Sequence, residues 1–173
     1  TGASRGLGAM ACIAFAKRGA KIAMLSRSKK DMDKLKNRLK NSSQHISIKV
    51  DLMKNEKIKN AILKAKKFLK DIDIVVHVAG GGLGLKDALI KNEDLKKLIQ
   101  INLASACEIN RLVVNQKKNN QHLKLVHVGS LTSYEAVGSV GYNIAKSALS
   151  TYVRSLGREL YNRKIVVTGI LPG

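Results

Sequence analysis

Apolar positions alternate between two periods along this chain. Residues 6–18 carry small and aliphatic side chains at helical spacing and stop at Gly19, a residue that ends helices. Residues 21–26 (KIAMLS) form a short apolar run that reads as a strand. Residues 28–41 repeat Met32, Leu35 and Leu39 at spacings of three and four, which predicts a helix. Residues 45–50 alternate as a strand, and residues 55–70 present Ile58, Ile62, Ala65 and Leu69 on one helical face. Residues 72–78 are almost continuously apolar, as a parallel strand covered on both faces would be. A long helix is predicted over 93–117, a strand over 123–128, a second long helix over 139–161 and a last strand over 165–171.

Strands separated by helices of this length require crossover connections, so the pattern predicts an α/β fold: a Rossmann-like, doubly wound parallel sheet with helices on both faces. Residues 1–173 read as one domain, without linker, repeat or low-complexity tract. A glycine-rich turn opens the chain with no strand before it to aim it, and Pro172-Gly173 closes it just after a strand. The expectation is a fragment of that fold, lacking its first, central strand and a C-terminal segment.

Composition alters little in this picture. With two Phe, four Tyr and no Trp, the core has to be aliphatic. No apolar run approaches the roughly 20 residues that span a bilayer, so no membrane association is expected. Cys12 and Cys107 stand apart in helical segments and read as buried reduced thiols, which suggests a cytoplasmic protein. The 32 basic residues against 12 acidic ones give a net charge of +20, which raises the question of nucleic acid. The lysines are scattered on polar helix faces over 28–70, with no basic stripe interleaved with aromatics for base stacking. A solvated lysine-rich surface is therefore expected, with no nucleic-acid partner.

Candidate chemistry begins at Thr1-Gly2-Ala3-Ser4-Arg5-Gly6-Leu7-Gly8. Glycine permits a tight turn and lets backbone approach a pyrophosphate, which then sits at the N-terminus of the following helix. Farther on, Tyr142 and Lys146 are four residues apart on a predicted helix and so share a face. A cation one turn away favours a phenolate, the condition for a tyrosine that exchanges protons near neutral pH.

The T-G-x-x-x-G-x-G spacing of the turn resembles the short-chain dehydrogenase/reductase family, classical type, and the resemblance runs through nearly the whole chain. It implies that Gly2, Ser4, Arg5, Gly6, Leu7 and Gly8 bind a nicotinamide dinucleotide, and that Asp51 and Leu52 lie beside its adenine. Val78-Ala79-Gly80 looks like the end of the family's N-N-A-G turn, which makes Ala79 and Gly80 cofactor-binding. The two Asn positions of that turn are here His77 and Val78, which removes side-chain hydrogen bonds that tie the turn to neighbouring strands. His77 reads as a packed strand residue rather than a catalyst. Pro172 and Gly173 resemble the family's turn beside the nicotinamide.

By the same resemblance Tyr142 is the general acid/base, Lys146 its neighbouring cation and a ligand of the nicotinamide ribose, Ser130 the residue that orients the substrate oxygen, and Asn102 the holder of a proton-relay water and the residue that locally distorts its helix. Ser130 lies twelve residues before Tyr142, one fewer than is common, with Ser133 as the second candidate. Where an NAD enzyme carries a carboxylate after the second strand, this chain has Leu25-Ser26-Arg27. Arg27 and Arg5 favour a 2′-phosphate, hence NADP, with NADPH preferred over NADH. The expected activity is hydride transfer between NADP(H) and a small-molecule carbonyl/alcohol substrate. The alternatives are an epimerase or dehydratase of the same superfamily and a non-catalytic dinucleotide-binding regulator. The long helices over 93–117 and 139–161 carry apolar residues on more than one face, which suggests a homodimer or homotetramer.

Overall fold

A computed structural model of the chain describes residues 1–118 and 121–173. It resolves into two compact units, Thr1–Ile72 and Asp73–Gly173. In the first, α1 (Gly6–Lys17), β1 (Ile22–Ser26), α2 (Lys29–Lys36), β2 (His45–Lys49) and α3 (Asn55–Leu69) follow in order. In the second come β3 (Ile74–His77), α4 (Asn92–Ile99), α5 (Ser105–Val114), β4 (Leu123–Val128), α6 (Thr132–Glu135), α7 (Val140–Glu159) and β5 (Ile165–Ile170).

Every strand pairing among the described residues is parallel, as the helical crossovers require. β1 and β2 form a two-stranded sheet with Ile22 opposite His45. The second unit has the order β3-β4-β5, with His77 opposite His127 and Leu123 opposite Ile165. Helices pack on these sheets through the stripes the sequence marks out. Met32, Leu35, Ile58, Ile62 and Ala65 are buried in the first unit, and Leu98, Ile109, Leu112 and Leu149 in the second.

Three elements differ from the sequence pattern. α2 stops at Lys36, five residues early, and Asn41 takes a left-handed conformation before a short 3-10 turn over Ser42–Gln44. The run of Asn and Ser there disfavours helix, whereas Leu39 still reaches the core because tightened turns carry the chain past it. β3 is confined to four residues and leaves Ile74 45% exposed, so it is not covered on both faces along its length. The helix predicted over 93–117 is interrupted by a wider, π-type turn at Gln100–Ala104 and ends at Val114. The four-residue α6 has no sequence signature, being too short to show a period.

Both cysteines are free thiols, Cys12 buried and Cys107 only half-buried. Among the described residues no helix is long and apolar enough to cross a membrane, and no His, Cys, Asp or Glu cluster is arranged to hold a metal ion.

Beneath α5 and α7, the second unit buries polar groups that the apolar pattern conceals. His77 and His127 face each other across β3 and β4 with rings stacked at 4.4 Å. Asn110, on α5, accepts from His77 Nε2 at 2.7 Å through Oδ1. Its Nδ2 donates to His127 Nε2 at 3.2 Å and to the Tyr152 hydroxyl at 3.0 Å. His77, at a position where the family motif has Asn, thus bonds a helix residue, Asn110 on α5. Burial holds both imidazoles below their ordinary range, His127 at about 4.

Between pH 6.5 and about 4 the unfolded chain therefore takes up protons that the folded chain refuses. The stability this withholds is intact above the upper value and lost as pH falls, amounting to about 3 kcal/mol for His127 alone. Guanidinium midpoints should fall steeply across this window, and less steeply in His127→Asn; identical slopes would contradict the assignment.

Candidate active site

The first unit presents a backbone surface. Gly2 and Gly6 both have positive φ, 66° and 53°, the conformation that the tight turn demands. A Cβ on Gly8 would run into the Gly2 carbonyl, so the turn can fold onto α1 only with glycine there. Ala3 N–H donates to Leu25 O, and Ser26 Oγ lies 2.9 Å from Ser4 Oγ, which fastens the turn to the end of β1. Arg5, at the N-cap of α1, contributes no side-chain cap, so the first-turn N–H groups have no side chain folded over them. Leu7, in that first turn, is exposed.

Arg5 and Arg27 are both exposed, and neither forms an ion pair among the described residues. Val50 N–H donates to Ser26 O, which brings the ends of β1 and β2 together and sets Asp51 on the strand end adjoining that of Arg27. Asp51 Oδ1 accepts from Met53 N–H at 3.1 Å, so one carboxylate oxygen shapes its own turn; Leu52 is buried.

The second unit presents side chains. Lys146 is 4% exposed and its Nζ donates to Val128 O, the last carbonyl of β4, at 2.9 Å. Burial pushes its ammonium down from 10.5 to about 8. The ammonium lies 5.6 Å from the centre of the Tyr142 ring, one helical turn back on α7. Helix periodicity alone puts these two groups on one face; the tertiary fold dries that face.

Asn102 occupies the π-type turn and is also buried. Its Nδ2 donates to Leu98 O at 2.9 Å and to Gly81 O at 3.0 Å, while its Oδ1 accepts from Gly81 N–H at 2.9 Å. The side chain thus serves the widened helix and clamps the loop that follows β3. Gly80 is held in the same clamp: a Cβ there would lie 2.6 Å from Asn102 Oδ1 and 3.3 Å from Lys146 Nζ. Ala79, just before it, and Gly82, where a Cβ would lie 4.0 Å from Tyr142, continue the loop along the site.

Ser130 follows β4 by two residues and is 9% exposed. Its Oγ accepts from Thr132 N–H at 3.3 Å. Ser133, the other candidate, spends its hydroxyl on Ser130 O at 2.7 Å, which caps the turn into α6. Leu131 N–H donates to Pro172 O at 3.1 Å, and a Cβ on Gly173 would lie 3.4 Å from the Leu131 side chain. Pro172-Gly173 thereby adjoins the Ser130 segment.

Three contributors were not evident in the sequence. Gly81 supplies the backbone partners of the Asn102 clamp, its N–H donating to Asn102 Oδ1 and its carbonyl accepting from Nδ2; the Val128 carbonyl anchors Lys146, and Gly141 lets Ile90 and Leu98 close on the start of α7. Two of the three act through backbone atoms, which every residue type supplies, and the third through the lack of a side chain.

The whole chain, residues 1–173, matches the family model for short chain dehydrogenase. Carbonyl reductase family member 4 from Xenopus tropicalis is 27% identical over 176 residues, covering 99% of this chain and 72% of that protein. The 3-oxoacyl-(acyl-carrier-protein) reductase FabG of Escherichia coli K12 is 26% identical over 174 residues, covering 100% of this chain and 70% of that protein. Among solved structures, a 7α-hydroxysteroid dehydrogenase complexed with NADH and 7-oxo glycochenodeoxycholic acid superposes with a TM-score of 0.93 at 24% identity, over 100% of this chain and 68% of that one. A short-chain dehydrogenase/reductase of unknown function from Caenorhabditis elegans, solved with cofactor, gives 0.91 at 25% identity over 99% and 67%. With its α/β parallel architecture and with the glycine turn, Asn102, Ser130, Tyr142 and Lys146 in order along one chain, the protein belongs to the short chain dehydrogenase family of oxidoreductases.

Proposed function

We propose that the protein transfers hydride between NADP(H) and the carbonyl or alcohol carbon of a small-molecule substrate, with Tyr142 as the general acid/base. The observation that carries this reading is the dry, anchored ammonium of Lys146 beside the Tyr142 ring, with Asn102 and Gly80 packed against it. A nicotinamide cofactor, when bound, supplies or accepts the hydride. The residues present fit such a group. The uncapped start of α1 and the side-chain-free turn of Gly2, Gly6 and Gly8 suit a pyrophosphate, with Ser4, Arg5 and Leu7 around it. Asp51 and Leu52 suit the adenine, and Ala79, Gly80, Pro172 and Gly173 the nicotinamide end.

In the reductive direction Tyr142 gives its hydroxyl proton to the substrate oxygen. Ser130 accepts from Thr132 N–H, which leaves its own hydroxyl proton to donate to that same oxygen. Lys146 supplies the positive charge against which a phenolate forms, and it bonds the cofactor ribose. Asn102 continues the proton path behind it. Partners on this reading are the small-molecule substrate and further copies of the chain, as a homodimer or homotetramer, in the cytoplasm. Residues 1–173 are read as one NAD(P)-binding domain.

Tyr142→Phe should lower turnover by about 10²–10⁴ while cofactor affinity stays near wild type; a variant that turns over normally would remove Tyr142 from the mechanism. For the cofactor, exposed Arg27 and Arg5 meet a 2′-phosphate where a carboxylate would repel it. A charge-assisted pair of this kind contributes about 1.5–3 kcal/mol, or roughly ten- to a hundredfold in affinity. Calorimetric titration should find NADPH bound more tightly than NADH, with the order reversed in Arg27→Glu.

Lys146 also predicts a conflict between stability and function. Its folded value of about 8 lies below its ordinary 10.5, so the unfolded chain binds more protons between the two and stability rises with pH across that interval. Below it, the buried charge costs about 3 kcal/mol, offset in part by about 1 kcal/mol from the bond to Val128 O. Lys146→Met should therefore be inactive yet more stable to urea near neutral pH, without the alkaline rise. A less stable variant would contradict this account.

A further inference from the structure

The His77–Asn110–His127–Tyr152 cluster has no part in the chemistry above, yet it borders the group that chemistry depends on. His127 is the residue before Val128, and the Val128 carbonyl is the anchor of Lys146 Nζ. Lys146 thus bonds the end of β4, and β4 carries the stacked histidine pair one residue before that carbonyl.

What holds it is one amide. Asn110 Oδ1 can only accept, so His77 presents its proton on Nε2. Asn110 Nδ2 can only donate, so His127 accepts at Nε2 and carries its proton on Nδ1. His127 is fully buried and its Nδ1 finds no partner among the described residues, which leaves Asn110 as the hydrogen-bond partner that selects its state. The second Nδ2 proton goes to Tyr152 on α7, so the same amide ties α5 and α7 to the two strands.

We propose that Asn110 is a positioning residue for Lys146: by donating to His127 Nε2 it keeps that ring a neutral hydrogen-bond acceptor, and so keeps Lys146 the one cation at the end of β4. This rests on the reading of Lys146 as an active-site residue. The groups that act on His127 from the surrounding elements are consistent with it. β3 brings the imidazole of His77, itself held neutral by burial. α5 brings Asn110 and, next to Tyr152, the Cys107 thiol, which burial keeps protonated. α7 brings the Tyr152 ring edge-on at 5.9 Å, its phenol pushed up to about 12 and therefore neutral, together with the Lys146 ammonium, whose charge opposes a second cation. No carboxylate is among these groups to compensate a protonated His127. Removing the amide donor removes the bond that favours the unprotonated Nε2. The ring would then charge at a higher pH, and two buried cations would compete for the end of β4.

The test is the acid limb of turnover, read beside NMR titration of the His127 ring in the protein without substrate. In Asn110→Ala both should move up by about one pH unit. In the double variant Asn110→Ala/His127→Asn, where residue 127 can no longer charge, the limb should return to the wild-type position or below it. A merely structural role would depress turnover at every pH and would not be relieved by the second substitution. An unmoved limb in Asn110→Ala, or a double variant that keeps the displacement, overturns the proposal. Should Asn110→Ala fail to fold, His127→Asn alone decides: its acid limb should extend below that of wild type, and an unchanged limb overturns the proposal. The ring titration needs no catalysis, so an unshifted His127 in Asn110→Ala refutes the network even if the enzyme reading were to fail by itself in the Tyr142→Phe test.

Discussion

A lysine ammonium taken out of water must be anchored or it loses its proton, and the second unit is organised around that requirement. Among the described residues Lys146 bonds one carbonyl, that of Val128, and reaches it because α7 packs above the sheet whose middle strand is β4. The loop after β3 can pass beside the ammonium because Gly80 has no side chain to obstruct it. Desolvation brings the ammonium down to about 8. Tyr142, Ser130 and Pro172-Gly173 are arranged around the same strand end.

Asn102 shows how such a site is kept open. Asn102 lies where the helix over residues 92–114 widens into a π-type turn. Widening one turn lets its amide serve both the helix, at Leu98 O, and the loop, at Gly81. The distortion is thus compensated locally by three side-chain hydrogen bonds, and the same bonds fix the loop on which Ala79 and Gly80 lie. π-type turns recur at functional sites for this reason: they exchange ladder regularity for a side chain directed elsewhere. The first unit solves a different problem by opposite means, offering backbone and almost no side-chain bulk at the turn, and leaving Arg5 and Arg27 exposed with no ion pair among the described residues.

The buried histidine pair includes a position where this chain departs from the motif it otherwise resembles. His77 replaces an asparagine whose hydrogen bonds stitch neighbouring strands, and read along the chain it is an isolated polar residue in an apolar strand. In the fold it acquires His127 by strand register, Asn110 from one helix and Tyr152 from another. None of these residues is near another in sequence, and each taken singly would pass for an ordinary core substitution.

Taken alone, the sequence determined what depends on local periodicity and on residue chemistry at fixed spacing. The alternation of strand and helix, the parallel pairing it implies, the helix stop at Gly19, the phosphate-type turn at Gly2, Gly6 and Gly8, and the shared face of Tyr142 and Lys146 all follow from intervals of a few residues. It also singled out Ser130 and Asn102, because their motifs keep their order along the chain. Tertiary structure alone decided what depends on dielectric and on contacts distant in sequence: that Lys146 is dry, that Val128 O anchors it, that Ser133 is spent on a turn, and that Asn110 joins two histidines. The physical reason is the same in each case. Hydrogen-bond partners from the backbone carry no sequence signature, and desolvation is a property of everything packed around a group rather than of the group itself.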